Sequence, residues 1–312
     1  MSGSFLPSST PNDNPPEQTD DLPLTGTWEQ KGRTPPTAAI LGLLIVGAIY
    51  FNGLSILVFI GVIIRMLARG EMEEPTTLPE AFGLQVELFT DPLRVSLVIA
   101  QFGLMLPITL WLVRRWHTPA VWRYLRLHWC GPAPLFLAAV ATLGFLPVNM
   151  AIAHKFLEWI HFPQFLYTIQ AQVFTAESPN EFLWLIFVIA VTPAICEEIF
   201  FRGYAQRTFE RTLGWKSVVL VGVIFGLFHM QPLGLISLSL LGVLFGYLYY
   251  RSRSLLPGMV AHFTNNFMVI YLYYRKAPLS GVSVEYGDSV PLLWVGMGFM
   301  LAAFALVVFH QI

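Results

Sequence analysis

Four stretches of the chain, 37–64, 95–113, 133–153 and 289–309, contain no Asp, Glu, Lys or Arg. A helix needs about 20 mostly apolar residues to cross the hydrocarbon of a bilayer, so each stretch predicts a membrane span. Four more, 182–196, 217–228, 233–250 and 254–274, are as apolar apart from a few ionisable or amide groups. The pattern predicts about eight helices. Lipid offers no partner for an unpaired backbone group, which leaves only helices or closed barrels as spanning structures. The run lengths are helical, and the expected fold is an all-α polytopic membrane protein. Residues 1–36 break the pattern. They are rich in Ser, Thr, Pro, Asp and Glu and lack periodic apolar positions, so they predict a disordered polar tail ahead of an integral membrane domain over 37–312.

Composition agrees with the pattern. Of the 312 residues 55% are hydrophobic and 12% charged, against about a quarter charged in a soluble domain. A net charge of −1 gives a nucleic-acid partner no electrostatic support. Two cysteines, Cys130 and Cys196, suggest neither a disulfide framework nor a thiolate metal site. The start shows no basic segment running directly into an apolar one, so a secretory leader is not expected. Arg114, Arg115, Arg123 and Arg126 follow the second predicted helix, Arg207, Arg211 and Lys216 the fourth, and Arg251 and Arg253 the sixth. The positive-inside rule makes that side cytoplasmic, together with the N-terminus, although Arg69, Arg275 and Lys276 count the other way. Trp116, Trp122, Tyr124 and Trp129 read as an interfacial aromatic belt. Residues 161–174 read as an interfacial loop, with a lateral gate as the second reading.

Chemistry is sought where apolarity fails. A charge near the bilayer centre costs at least about 2.5–3.5 kcal/mol on insertion scales, so such groups face a cavity or a partner. Glu197 and Glu198 occur in AICEEIFFRGYAQR, His229 in VIFGLFHMQP, and His262, Asn265 and Asn266 in GMVAHFTNNFMVIY. At 1.5 Å of rise per residue, Glu197 lies about 15 Å above Arg207, His262 about 14 Å above Arg253 and His229 about 20 Å above Lys216. The three share a layer a third to half way into the membrane, as one site requires.

Positions i and i+4 share a helix face, so Arg202 reaches Glu198 and leaves Glu197 to point elsewhere. His262 and Asn266 form one polar face, Asn265 lies off it, and Phe225 stands one turn before His229. A carboxylate and a neutral imidazole aimed into one hollow can activate water. Amide hydrolysis also creates an oxyanion, and His262 with Asn266 have the donors to stabilise it. No serine or cysteine has a recognisable nucleophile setting. Each feature alone has a plainer explanation: a single membrane histidine usually bonds helix to helix, and the Glu198–Arg202 pair taken singly is structural.

Taken together, Glu197-Glu198-x-x-x-Arg202, Phe225-x-x-x-His229 and His262-x-x-x-Asn266, in this order on successive helices, resemble the three-motif signature of the CAAX-protease and bacteriocin-processing family. This membrane family includes the Ras-converting endopeptidase and the Abi proteins. The resemblance covers residues 182–274 as a protease-motif core. It implies an eight-span glutamate protease in which Glu197 and His229 activate water, His262 and Asn266 form the oxyanion hole, and Glu198 with Arg202 braces the site, with Phe225 in support. It further implies membrane lipid and a membrane-anchored or lipidated peptide or protein as partners, no cofactor, and a multi-pass location in a bacterial cytoplasmic membrane.

Zinc is the runner-up cofactor, because two histidines and a glutamate can ligate it; His-Glu-x-x-His is absent, and zinc would leave Asn266 without a task. Two other function classes stay open. One is a proton-coupled transporter using the intramembrane glutamates, against which the missing internal repeat speaks. The other is a catalytically idle scaffold or immunity protein of the same fold.

Overall fold

The computed structural model describes residues 22–69, 78–160, 173–231, 234–275 and 290–312. These residues form an all-helical, polytopic membrane protein, with no strand among those described. In chain order the helices are α1 (Thr27–Gln30), α2 (Pro35–Arg69), α3 (78–117), α4 (Val121–Tyr124), α5 (Pro132–Ile160), α6 (Pro179–Leu213), α7 (Lys216–Phe228), α8 (Leu235–Ser252), α9 (Leu256–Arg275) and α10 (Leu292–Gln311). Each of the eight apolar runs falls on one of α2, α3 and α5–α10. Six helices, α2, α3, α5, α6, α8 and α10, contain segments long and apolar enough to cross a membrane. Helix α7 has 13 residues, about 20 Å at 1.5 Å each, which is too short for a hydrocarbon layer of about 30 Å. Helix α9 has 20 residues, but its His and Asn residues dilute its hydropathy. Of the eight expected spans, six are met by length and composition among the described residues.

Helix α6 is the centre of the bundle. In its most apolar window 61% of residues are buried, against 22–39% in the other five candidate spans. The helix starts where Ser178, in extended conformation, accepts the backbone N–H of Glu181 (3.2 Å), with Pro179 in the first turn. This Ser-x-x-Glu start occupies an otherwise orphaned donor. Buried Arg94 of α3 ties this entry down through Glu181 (2.6 Å) and the carbonyls of Val173 and Thr175. The other end of α6 stops at Gly214, whose φ of +53° suits glycine. There Glu210 gathers Arg126, Arg207 and Arg253.

Around α6, α2 packs on α3, α7 on α8 and α10 on α5. The α7–α8 pair is tight because glycines face it: a Cβ on Gly226 would lie 2.1 Å from Ser239 Oγ, and one on Gly242 would lie 2.7 Å from the Gly222 carbonyl. Phe200, Phe201, Tyr204 and Phe225 form the aromatic middle of the largest core cluster. Leu44, Ile56, Phe59, Leu292, Phe299 and Phe304 stand outward on α2 and α10, the arrangement expected of lipid-facing surfaces.

Two sequence expectations change here. Composition predicts a disordered tail through residue 36, and residues 1–21 lie outside the described residues. Residues 22–36, however, are packed on the bundle. Trp28 is buried against Trp116, with ring centroids 5.0 Å apart. The backbone N–H of Gly26 donates to the His117 carbonyl (2.7 Å), and Glu29 takes two hydrogen bonds from Arg211 (2.6 and 2.9 Å) and lies 2.6 Å from His117 Nδ1. One buried aromatic and one multiply bonded carboxylate offset the chain entropy that the average composition favours. The second change concerns His229, which the sequence reading carries on the fifth helix, just past the apolar run 217–228. It instead caps the end of α7, followed by Met230 at φ +51°. The predicted interfacial loop at 161–174 lies almost wholly outside the described residues.

Candidate active site

Helix α6 does not run as one regular α-helix through its chemical segment. It is π-helical over Ile186–Val191 and again over Ile199–Gln206, with regular α-helix over Thr192–Glu198 between them. The wider turns on both sides let this short piece present adjacent side chains to different neighbours, and such insertions recur at working sites. Glu197 and Glu198 therefore diverge, and both are buried.

Glu198 turns toward α8 and α9. Its Oε1 lies 2.9 Å from Arg202 Nη1 and 2.9 Å from His262 Nδ1. Arg202, fully buried, also donates to the Gly242 carbonyl (3.1 Å) and stands 4.5 Å from the centroid of the Phe225 ring. A Cβ on Gly258 would come within 2.9 Å of Glu198 Oε2, so α9 approaches the carboxylate through a residue with no side chain. The predicted i, i+4 ion pair is present in the structure.

Glu197 turns toward α3 and α7. Its Oε1 accepts a hydrogen bond from Gln101 Nε2 (3.1 Å), and its Oε2 lies 3.8 Å from His229 Nε2. His229 Nδ1 is 2.8 Å from the Phe225 carbonyl. A carbonyl only accepts, so Nδ1 carries the hydrogen, and in the neutral ring Nε2 presents its lone pair to Glu197.

Phe225 joins the two halves. Its ring meets His229 edge-on at 4.7 Å and His262 edge-on at 5.7 Å, while Phe245 stacks on His262 at 5.1 Å. Asn266 is half-buried. Its Nδ2 donates to the Ile189 carbonyl (2.7 Å), and its Oδ1 accepts from Asn265 Nδ2 (3.0 Å). The Ile189 carbonyl lies in the π-helical segment just ahead of Pro193, a residue with no backbone N–H to give to the preceding turn. The bonds fix which end of the Asn266 amide is nitrogen and leave one Nδ2 hydrogen uncommitted.

The structure thus brings Glu197 beside His229, sets Glu198, Arg202 and His262 in one bonded group, and places Phe225 between the two histidines. Asn266 is held one turn along α9 from His262. Sequence reasoning missed four contributors: Gln101, Gly242, Gly258 and Pro193. The amide of Gln101 inside the otherwise uncharged run 95–113 was a visible signal, and so was the proline four residues before Glu197. The glycines become legible only when the helices are packed.

Among the described residues no three His, Cys, Asp or Glu side chains are grouped to hold a metal ion; Nδ1 of His262 is bonded to Glu198 and Nδ1 of His229 to a backbone carbonyl, which leaves Nε2 of each ring facing the site.

The fold and the site define a multi-pass α-helical membrane protein with a buried cluster of ionisable and amide side chains at its centre. Residues 179–268 match the family model described as type II CAAX prenyl endopeptidase Rce1-like. All three motifs lie within that segment, so over those residues the chain is similar to the CAAX-protease and bacteriocin-processing family. No curated protein and no solved structure matches the chain.

Proposed function

We propose that this protein is an intramembrane endopeptidase that uses Glu197 and His229 to activate water and cleaves a peptide bond near the lipid-attached or membrane-spanning end of its substrate. The observation that carries this reading is the 3.8 Å between Glu197 Oε2 and His229 Nε2. That separation is too long for a direct hydrogen bond and matches two acceptors sharing the hydrogens of one water at about 2.8 Å each.

In the first step Glu197 Oε2 takes a proton from the water while its oxygen bonds to the scissile carbonyl carbon. The carbonyl π electrons move to oxygen, and the resulting oxyanion is met by the free Nδ2 hydrogen of Asn266 and by His262 Nε2–H. Since Nδ1–H of His262 is given to Glu198, an Nε2 donor requires the doubly protonated ring, and the Glu198 carboxylate offsets its charge. In the second step the oxyanion collapses, the C–N bond breaks, and the proton held by Glu197 passes to the leaving amine. Fixed donors of this kind in a water-poor site are worth about 10²–10³ in kcat each. Glu198, Arg202 and Phe225 hold the donors in place. No step is routed through a metal.

The match to a prenyl endopeptidase model favours a prenylated CAAX tail as the substrate. The arginine-rich helix ends support a cytoplasmic N-terminus, and the family resemblance supports a bacterial cytoplasmic membrane. The test is purified protein in proteoliposomes with a farnesylated CAAX peptide, with products read by mass spectrometry. Wild type releases the terminal tripeptide, and Glu197→Gln and His229→Ala, folded by thermal melting, do not. Full cleavage by Glu197→Gln would exclude the carboxylate as base. Proton uptake driven by a gradient and abolished by the same substitutions, without cleavage, would favour transport.

A further inference from the structure

Gln101 has no part in any of the three motifs, yet among the described residues it makes the one hydrogen bond to the Glu197 carboxylate. It is buried at 2% exposure at the start of a π-helical turn, Gln101–Met105, in α3. Its Nε2 donates to Glu197 Oε1 (3.1 Å). The Tyr50 hydroxyl stands beside the amide, but the buried Gln101 Oε1 has no partner in hydrogen-bond geometry among the described residues. As packing this is a poor choice, because a buried amide with one end unmatched loses to an apolar side chain of the same size.

We infer that Gln101 is a positioning residue for Glu197: by occupying Oε1 it turns Oε2 toward His229 and confines the proton taken from water to that oxygen. An amide N–H can donate to a carboxylate oxygen and cannot accept from a carboxylic acid O–H. The bond occupies one lone pair of Oε1 and makes that oxygen the less basic of the two, so the proton goes to the oxygen that faces His229. The π-helical turn supports this role, since α3 contacts both α2 and the Thr192–Glu198 piece of α6 at that turn. The inference rests on the proposed hydrolytic role of Glu197.

Two measurements test it on the full-length protein, using Gln101→Leu and Gln101→Met, with thermal melting in detergent to confirm folding. With the farnesylated CAAX peptide, kcat is expected to fall about 10- to 100-fold, with KM within twofold of wild type and the acidic limb of the kcat profile displaced by at least half a pH unit. A residue that merely packs would leave the pH profile in place. The second measurement needs no turnover: the infrared carboxyl band that disappears in Glu197→Gln is expected to shift in Gln101→Leu. An unmoved Glu197 band, or wild-type kcat and pH profile in both variants while Glu197→Gln is dead, would overturn the role of Gln101 and leave the proposed hydrolysis intact. A shifted band in a protein that cleaves nothing would support the positioning contact and count against the hydrolytic function.

Discussion

Glu197 and Glu198 are neighbours in the chain whose carboxylates serve different helices: Glu198 is bound between Arg202 and His262, and Glu197 is held by Gln101 with its free oxygen 3.8 Å from His229. Two acids side by side would ordinarily repel and share a fate. Here the buried Arg202 faces one of them, so one carboxylate is paired through its Oε1 with Arg202 and His262, and the other is left available for proton transfer. That asymmetry separates a bracing residue from a reacting one, and it makes the two distinguishable by experiment.

Removing the partner of a buried charge is more damaging than removing the pair. Glu198→Ala leaves the Arg202 guanidinium, at 0% exposure, without its carboxylate, and such breaks cost about 3–5 kcal/mol. Chemical denaturation in mixed micelles should show that loss. The double variant Glu198→Ala/Arg202→Met should be more stable than Glu198→Ala alone. A double variant as unstable as the sum of the two single changes would mean that the pair is not coupled.

The α7–α8 seam gives a contrast between two glycines. Adding a methyl group at Gly226 gains up to about 1 kcal/mol of helix propensity, but that methyl would stand 2.1 Å from Ser239 Oγ and 2.7 Å from the Leu235 carbonyl. Overpacking against backbone costs about 1–3 kcal/mol, so Gly226→Ala should be destabilised and, by moving His229 away from Glu197, should lose cleavage. A methyl group added at Gly296 on α10 would have no described atom within 4 Å, and Gly296→Ala should melt at or above the wild-type temperature. Equal behaviour of the two variants would contradict the packing.

What the sequence made legible is uneven for physical reasons. The apolar runs placed α2, α3, α5, α6 and α10 because lipid demands long uncharged stretches, and the i, i+4 rule placed Arg202 on Glu198. The apolar run 217–228 ends where α7 ends, but the sequence reading carries His229 on that helix, because the turn after Phe228 depends on the fit against α8 and on the conformation of Met230. Helical periodicity did not reveal the π-helical turns flanking Thr192–Glu198. Those arise from packing and from Pro193, and they decide where Gln101 and Asn266 meet the site. Average composition hid Trp28 and Glu29 in a segment that reads as polar tail.

The contacts of that segment predict a pH dependence. Burial alone would raise the pKa of Glu29, but hydrogen bonds from His117 and Arg211 outweigh it and bring it from the usual 4.5 to about 2. A carboxyl lowered on folding contributes stability above its unfolded pKa, and that contribution fades as pH falls toward the folded value. A spin label at Lys31→Cys in a Cys130→Ser background should therefore stay immobile from pH 5 to 8 and loosen between pH 4.5 and 2. In Glu29→Ala it should be mobile at every pH. Immobility in that variant would show that Trp28 alone holds the segment.

Chelation bears on the reaction directly. With no three His, Cys, Asp or Glu side chains grouped to hold a metal ion among the described residues, cleavage should survive dialysis against 1,10-phenanthroline, with activity within about twofold of the untreated enzyme, well inside the loss of about 10²-fold or more expected when a catalytic metal is removed. Loss of cleavage restored by stoichiometric zinc would require the imidazoles to be re-assigned as ligands.

Asn266 allows the oxyanion role to be separated from structural support. Its Nδ2 is held by the Ile189 carbonyl and its Oδ1 by Asn265, so the amide is fixed in rotation before any substrate arrives. Removing the donor by Asn266→Ala should lower kcat by about 10²–10³ with little change in KM. Asn265→Ala removes only the restraint on Oδ1 and should cost less, since the Ile189 bond remains. Pro193→Ala restores a backbone N–H to the turn on which Asn266 docks. It should stabilise α6 while loosening Asn266, so melting temperature and kcat should move in opposite directions. If Pro193→Ala raises both, or if Asn265→Ala is as damaging as Asn266→Ala, the asparagines act as helix-to-helix contacts and the oxyanion must be met by other donors.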